Sequence, residues 1–274
     1  MDIAAVFLGV STIINIVFIY LLHSEKPSHL GEYRFVLTFF AVFNIVFSLS
    51  DFLISTTVFN YKQSGIVVLV GGIFANSDMA WKEWMILFRC SFYGLGYALL
   101  LIHFIYRYYA LFGNQSVLSF SQLSFIAFLF FLIHGSFWMV ICRLLLFPNI
   151  EMLQYIRPGF IETFGFDPSQ AAIIGTVLDL NSASSSLYWK GLVGTIILSF
   201  VSLYSILSYI ILGYKILSKL REHRVISNRL KRQHHLLFRS LVIQTLIPCF
   251  TSFFPCILGW YSPILQLEMP PKNG

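Results

Sequence analysis

The sequence predicts an all-α integral membrane protein, a single bundle of six transmembrane helices within residues 1–274. Three observations predict it: an apolar composition, long apolar segments, and basic residues gathered beside those segments. Apolar residues make up 57% of the chain and charged residues only 11%, whereas soluble domains carry about 25% charged residues. A soluble domain of this length would need a more polar surface than this sequence supplies, so the composition indicates a polytopic membrane protein.

Six segments are long enough to cross a bilayer, because a hydrocarbon core about 30 Å thick requires roughly 20 apolar residues in a helix. The predicted spans are residues 3–22, 35–58, 85–112, 120–146, 192–217 and 236–261. The first span has Asp2 where a signal peptide has its basic region, so we expect a retained helix.

Two further stretches are too short to cross the membrane. Residues 65–75, "GIVVLVGGIFA", are rich in glycine and valine; we expect either a small hairpin outside the bilayer or an extension of the second span. Residues 262–274 form a short tail. The sequence therefore predicts six spans rather than seven.

The basic residues predict the orientation, because the excess of Lys and Arg stays on the cytoplasmic side. The loops after the first, third and fifth spans, counted with the span ends that adjoin them, carry eleven Lys or Arg, and the other side, counted in the same way, carries six. Both termini are therefore expected outside. The basic residues lie at membrane boundaries, which favours anionic lipid headgroups over nucleic acid as their partner. A cytoplasmic protein that docks on the same basic block is the alternative.

The four cysteines show no metal-binding spacing, and we expect neither a metal nor a cofactor. Cys90 and Cys142 lie toward the outer ends of the third and fourth spans. Free buried thiols are the first interpretation, and a disulfide between them is the alternative.

Several polar and kinked positions inside the spans suggest a structural or switch network. A carboxylate within a membrane is costly and needs a partner, and Asp51 lies inside the second span with Asn15, Asn44 and Ser48 as candidate partners. An ion site, or a wet position near the outer surface, is the alternative for Asp51. The complete predicted network consists of Asn15, Asp51, Gln244, Pro248 and Pro255.

The two prolines of the sixth span predict a bent helix, because each removes a backbone hydrogen bond. Pro248 and Pro255 are seven residues apart and lie on nearly the same face, so their kinks add. Such a helix can swing its basic cytoplasmic end about the kink. A static kink that serves packing is the alternative.

Aromatic residues in the outer halves of the third and sixth spans suggest a ligand pocket. Such a lining suits a small, volatile or mostly apolar molecule held by one or two hydrogen bonds. Plain helix packing is the alternative for these aromatic residues. The candidate pocket residues are Phe92, Tyr93, Tyr97, Phe253, Phe254 and Trp260.

Three blocks resemble hallmark segments of the nematode serpentine chemoreceptors of the str and srj type. They are "LGEYRFVLTFFAVFNIVFSLSDFL" at residues 30–53, "HFIYRYYALF" at 103–112 and "RQHHLLFRSLVIQTLIP" at 232–248. The resemblance implies a seven-helix G-protein-coupled chemoreceptor in the plasma membrane of sensory cilia, with an odorant ligand and a heterotrimeric G protein as partner. The expected seventh helix is absent from this sequence. The chain thus resembles a truncated form, for which impaired signalling and retention in the endoplasmic reticulum are expected.

The resemblance also implies a coupling role for Arg107. In rhodopsin-like receptors an acidic residue, Arg and Tyr follow one another there, and in this chain Tyr106 takes the acidic position. The alternative is an arginine that extends to the lipid headgroups. The implied coupling residues are Tyr106, Arg107, Tyr108, Arg229, Lys231 and Arg232.

Other function classes lack their signatures. The sequence contains neither a His-Glu-x-x-His motif nor the paired intramembrane aspartates of a membrane protease. We therefore do not expect an enzyme. A channel filter and a transporter repeat are likewise absent from the sequence. A membrane transporter or a ligand-gated odorant-type channel subunit is the alternative function.

Overall fold

The main elements in the described part of the computed structural model are seven α-helices and three strands. The structure describes residues 3–24, 33–62, 64–112, 119–179, 184–222, 238–239, 241–243, 245–246 and 249–265. The helices are α1 Ile3–Ser24, α2 Tyr33–Leu53, α3 Met79–Phe112, α4 Phe120–Leu145, α5 Ile150–Phe164, α6 Ser185–Glu222 and α7 Phe254–Leu265. The strands are β1 Thr56–Tyr61, β2 Gly65–Val70 and β3 Ile173–Val177.

Five of the described helices, α1, α2, α3, α4 and α6, are long and apolar enough to cross a membrane. Their outward faces carry exposed apolar side chains such as Phe7, Ile133 and Phe200. Lipid covers such faces, whereas water would penalise them. The prediction of a helical membrane protein is confirmed. Within the sixth predicted span, residues 238–239, 241–243 and 245–246 are helical. A π-helical turn, Cys249–Phe253, leads into α7.

The observed helices differ from the predicted spans at their ends. α2 ends at Leu53, five residues before the predicted end, because the β-branched run from Thr56 continues as a strand. α3 begins at Met79 and α6 at Ser185, so each helix extends several residues beyond the N-terminal end of its predicted span. Of the two alternatives for residues 65–75, the structure has the hairpin: β1 pairs with β2 in antiparallel register.

A small sheet domain lies at one end of the bundle, which we call the sheet end. β3 adds to β2 in antiparallel register, giving the order β1-β2-β3. α5 packs on this sheet, and the two share a second apolar core that includes Phe59, Val67, Met152, Phe160 and Ile173. The sequence interpretation took residues 147–189 as a long loop and did not foresee α5 or β3.

A carboxylate holds the start of α6 to α5. Ser184, directly before α6, donates from its backbone N–H and its hydroxyl to the two carboxylate oxygens of Glu151. The Ser184 hydroxyl oxygen in turn accepts from the Leu187 backbone N–H at 3.2 Å, which caps the helix. The two hydrogen bonds that Ser184 donates to the carboxylate lower the pKa of Glu151.

α3 is the central helix of the bundle. In its apolar window 61% of the residues are buried, against 6% to 33% in the other four membrane-length helices. Glycines let α4 approach it closely. A Cβ atom at Gly94 would lie 2.8 Å from Trp138 Cβ and 3.0 Å from the His134 carbonyl oxygen. A Cβ atom at Gly135 of α4 would lie 2.4 Å from Leu95 Cδ2. The close approach of α3 and α4 therefore depends on the absence of a side chain at Gly94 and at Gly135.

Replacing Gly94 by Ala tests this close approach. The added methyl meets the backbone of α4, so we expect Gly94→Ala to lower the free energy of unfolding by about 1–3 kcal/mol. Gly96→Ala on the same helix is the matched control, because its added carbon would lie 3.8 Å from Phe253 Cζ. We expect that control to match or exceed the parent through helix propensity, worth up to about 1 kcal/mol. Equal unfolding free energies for the two variants in detergent would contradict the packing account.

Lowering the pH tests the Glu151 clamp. A carboxyl group whose pKa is lowered on folding stabilises the folded state above its unfolded pKa of about 4.3, and this stability is lost as the pH falls through the folded pKa. We therefore expect amide hydrogen exchange at residues 185–187, corrected for intrinsic rates, to accelerate as the pH falls below about 4.

The matched variants for this test lie on one helix. Glu151→Gln should exchange faster than the parent already at neutral pH and lose most of the pH dependence. Glu162→Gln, an exposed position on α5, should behave as the parent. A Glu151→Gln chain with the pH profile of the parent would show that the clamp does not hold α6.

Candidate functional site

Arg107 lies near the C-terminal end of α3, and its side chain is buried at 4% exposure. Its guanidinium carbon lies 4.3 Å from the ring centroid of Tyr33, the first residue of α2. Tyr33 also stacks on Tyr106 at 5.8 Å between centroids and meets His103 edge-on. Arg107 therefore does not extend to the headgroups but lies under an aromatic cover supplied by α2.

The charge of Arg107 is incompletely paired. Its Nε and Nη2 atoms are buried and have no hydrogen-bond acceptor within the described part of the chain. A buried charged donor without an acceptor is costly. An acceptor from outside the described residues would therefore stabilise the Arg107 guanidinium. Tyr106 and Tyr108 are half-buried beside it. The other predicted coupling residues, Arg229, Lys231 and Arg232, lie outside the described residues.

Asp51 has a different partner from those predicted. Its Oδ1 atom accepts from Arg89 Nη2 of α3 at 2.6 Å, and not from Asn15, Asn44 or Ser48. The reason is that α2 ends at Leu53, so Asp51 lies at the sheet end, where its side chain is 55% exposed. Asp51 is therefore a terminal ion-pair partner rather than a residue in the middle of the helix.

Arg89 was not among the predicted site residues. Its side chain is 6% exposed, and its guanidinium carbon lies 4.6 Å from the Phe47 ring centroid and 5.6 Å from that of Tyr93. The apolar rings on both sides explain how an arginine is accommodated among helices. The available sequence signal was one arginine inside an otherwise apolar segment.

Asn15, the other predicted network residue whose side chain is described, does not join Asp51. Asn15 and Asn44 contact each other weakly at 3.4 Å, and Ser48 donates to Ser11 at 2.8 Å, so these pairs link α1 to α2. Gln244 and Pro248 lie outside the described residues. The backbone of Pro255 falls within α7, but its side chain lies outside them.

Two cavities border α3. The first, which we call the α2–α3 cavity, measures about 190 Å³. It is lined by Phe40, Phe43, Asn44, Phe47, Phe92, Tyr93, Gly96, Leu99, Leu100 and Phe253. The second, the α6 cavity, measures about 20 Å³, enough for roughly one water molecule. Its walls include Tyr93, Tyr97, Trp138, Ser199, Ser202, Phe253 and Trp260.

The predicted pocket residues are divided between these spaces. Phe92 lines the α2–α3 cavity, Tyr97 and Trp260 line the α6 cavity, and Tyr93 and Phe253 line both. Phe254 is 55% exposed and lines neither cavity. Phe253 and Phe254 are consecutive residues, and consecutive side chains point about 100° apart around a helix, so Phe254 does not share the face of Phe253.

A polar stripe on α6 was also missed. Thr195, Ser199 and Ser202 share one face of α6 and line the α6 cavity. Their hydroxyls donate to carbonyls four residues earlier in the same helix, and Tyr261 of α7 donates to Ser199 Oγ at 2.8 Å. The spacing of these residues was visible in the sequence and indicates a face turned toward other helices.

A larger space lies between α2, α3 and α4 near Arg107, with a volume of about 310 Å³. Its walls include Phe35, Phe39 and Phe128, whose side chains are exposed on the outer surface of the bundle. It is a lipid-facing groove. Among these spaces, the α2–α3 cavity combines room for a small molecule with mostly enclosed aromatic walls.

His134 ties three helices together beside the α6 cavity. Its Nδ1 atom lies 2.8 Å from the Gly94 carbonyl oxygen, and its Nε2 atom contacts the Tyr204 hydroxyl. Because a carbonyl only accepts, Nδ1 carries the hydrogen and Nε2 accepts from Tyr204. Tyr209 of α6 donates to the Tyr97 carbonyl at 2.7 Å. Both hydrogen bonds to α3 are accepted by backbone carbonyl oxygens of that helix. They hold α4 and α6 against α3. Cys90 and Cys142 are not joined by a disulfide.

Comparison with known proteins gives the family. A family model described as "Serpentine type 7TM GPCR chemoreceptor Srj" matches residues 1–273. The chain is 34% identical over 261 residues to serpentine receptor class J-38 of Caenorhabditis elegans, covering 94% of this chain and 78% of that protein. It is 23% identical over 270 residues to G-protein coupled receptor str-217 of Caenorhabditis elegans, covering 96% and 77%. It is 24% identical over 285 residues to serpentine receptor class r-10 of Caenorhabditis briggsae, covering 93% and 75%.

Proposed function

Because the chain belongs to the Srj family of serpentine seven-transmembrane chemoreceptors, we propose that it binds a small, mostly apolar odorant in the α2–α3 cavity and activates a heterotrimeric G protein at the Arg107 end of α3. The observation that carries the proposal is the buried Arg107 guanidinium, which has two donors without acceptors in the described part of the chain.

The α2–α3 cavity supports the ligand half of the proposal. Its walls are mostly aromatic, and Asn44 is an amide among them. Ligand sites typically combine apolar walls with a few polar groups that fix orientation. The cavity lies between two membrane-length helices, so an apolar ligand can reach it through the lipid as well as from water.

Arg107 supports the signalling half. A G protein that approaches this end offers backbone carbonyl and carboxylate acceptors, and Nε and Nη2 are donors that need them. Tyr33 covers the guanidinium in the present conformation. Movement of the start of α2 away from α3 would expose it, so the active conformation is one in which the Tyr33–Arg107 contact is broken.

The link between the two halves is the α2–α3 seam, which contains both the cavity and the Tyr33–Arg107 contact. A ligand that binds better when α2 and α3 are separated shifts the population toward the conformation with Arg107 exposed. The basic residues at the end of α6, Lys215, Lys219 and Arg221, would hold that end at anionic lipid, with about 1 kcal/mol per cation. We place the functioning receptor in the plasma membrane of sensory cilia.

Replacing Arg107 tests the signalling half without a known ligand. The readout is basal GTPγS loading of a co-expressed Gα subunit in membranes that contain equal amounts of receptor chain. We expect Arg107→Ala to reduce loading at least about tenfold, because one lost charge-assisted hydrogen bond is worth roughly 1.5–3 kcal/mol. Arg107→Lys should restore only part of it, since lysine lacks the planar donor array.

The matched control is Arg34→Ala. Arg34 lies at the same end of the bundle, and its guanidinium carbon lies 5.0 Å from the Phe35 ring centroid. Arg34→Ala removes one positive charge from this end of the bundle, as Arg107→Ala does. We expect Arg34→Ala to leave GTPγS loading close to that of the parent. Parent-level loading by Arg107→Ala, or no loading by the parent above empty membranes, would overturn the coupling proposal.

A further inference from the structure

Cys90 of α3 and Cys142 of α4 lie opposite each other across the seam between these two helices. The helices are antiparallel: Tyr106 contacts Phe120 at 5.7 Å between centroids near one end, and farther along a Cβ atom at Gly94 would lie 2.8 Å from Trp138 Cβ. Cys90 comes four residues before Gly94, and Cys142 comes four residues after Trp138. Four residues make about one turn, or about 6 Å along a helix. In an antiparallel pair both steps lead toward the sheet end, so they bring the two cysteines face to face.

The side chains agree with this register. The Cys90 and Cys142 thiols are hydrogen-bond partners, and both are reduced in the structure. Packed helix axes lie about 8–10 Å apart, and Cα atoms lie about 2.3 Å from their own axis, which can bring facing Cα atoms within about 5.4 Å. A disulfide spans about 4.4–6.8 Å between Cα atoms. Two contacting thiols on such a seam can therefore join with little movement of the backbone.

The pair also lies at the end of the bundle where oxidation is expected. Cys142 is three residues before the end of α4 at Leu145, and the next residue, Leu146, accepts a hydrogen bond from the Gly175 backbone N–H of β3 at 2.9 Å. The cysteines are thus about one turn below the sheet domain. The distribution of Lys and Arg predicts that the sheet end is outside. During synthesis this end faces the lumen of the secretory pathway, which is oxidising.

We infer that Cys90 and Cys142 form a modification site, at which a disulfide joins α3 to α4 when the chain matures. The oxidant is a disulfide of the secretory compartment. Cys90 is the more exposed of the two cysteines, so its thiolate attacks one sulfur of the oxidant and displaces the other sulfur. The Cys142 thiolate then attacks Cys90 Sγ and releases the rest of the oxidant. The two cysteines lose two protons and two electrons, and the oxidant is reduced to two thiols.

The disulfide would hold one side of α3 and leave the other side free. It crosslinks α3 to α4 beside the contact at Gly94, whereas the Tyr33–Arg107 contact lies on the α2–α3 seam. The inference goes beyond the proposed function, and its test needs neither an odorant nor a G protein.

Trapping of thiols in cells that express the full chain tests the inference. N-ethylmaleimide blocks all free thiols, the chain is denatured and reduced, and a polyethylene-glycol maleimide then labels each cysteine that had been oxidised. Of the four cysteines in the chain, we expect two to carry the label. A digest made without reductant should contain one linked pair of peptides, with Cys90 in one and Cys142 in the other.

Three single variants identify the pair. Cys90→Ser and Cys142→Ser should each lose both labels, because each leaves the other cysteine without its partner. Cys249→Ser is the matched control and should keep both labels. The parent chain and its linked peptides decide the question even if a variant does not fold.

The unfolding temperature in detergent gives a second readout. Reduction should lower that of the parent by at least about 5 °C, because a disulfide that closes a long loop stabilises the folded state, and it should leave that of Cys90→Ser unchanged. The inference is overturned by a parent without label, by a Cys142 that stays labelled in Cys90→Ser, by linked peptides that join other cysteines, or by an equal response of the two chains to reductant.

Discussion

The fold depends on the contact between α3 and α4 at Gly94, where the helices are close enough for a side chain of one to reach the backbone of the other. Within a bilayer no water satisfies a buried polar group, so a partner inside the protein is strongly stabilising. His134 meets this requirement by donating to the Gly94 carbonyl and accepting from Tyr204 of α6. The same contact stacks Trp138 on Tyr97 at 5.8 Å between centroids. That stack narrows the α6 cavity and leaves the larger space on the α2 side.

The two ends of α3 repeat one arrangement. Arg89 and Arg107 are 18 residues apart, which corresponds to about 27 Å along a helix. Each guanidinium lies over an aromatic ring of α2, Phe47 for Arg89 and Tyr33 for Arg107. Each also has two buried nitrogens without an acceptor in the described ranges. The α2–α3 seam thus has a donor-rich group at each end and an aromatic cavity between them. A change in the spacing of these two helices would alter both ends together, and for this reason we locate ligand binding and coupling on one seam.

The sequence predicted the features that depend on the length of apolar segments. It did not predict the features that depend on contacts between distant parts of the chain. Continuous apolar segments were sufficient for the membrane helices, and three sequence blocks for the family. α5 was missed because its 15 residues are too few to cross a bilayer and because Pro158, which disfavours a helix interior, lies within it. The partner of Asp51 was wrong because the end of α2 depends on where β1 begins. The pocket set was divided because its residues lie on more than one face of their helices: Phe92 and Tyr97 of α3 line different cavities, and the consecutive residues Phe253 and Phe254 point about 100° apart. Arg89 was expected near the outer headgroups and not as a site residue, because the sequence does not show the rings and the carboxylate that surround it.

The most direct test of this account is a double-mutant cycle on the His134–Tyr204 bond, using His134→Leu, Tyr204→Phe and the combined variant, with the unfolding free energy of each measured in detergent. Interhelical hydrogen bonds in membrane proteins give coupling energies of about 0.6 kcal/mol on average, with a maximum of about 1.7 kcal/mol. Since His134 joins α3, α4 and α6, we expect a coupling energy in the upper half of that range, together with a larger single-variant loss for His134→Leu than for Tyr204→Phe. Strictly additive losses, or a His134→Leu chain as stable as the parent, would contradict the claim that this contact holds the bundle around α3.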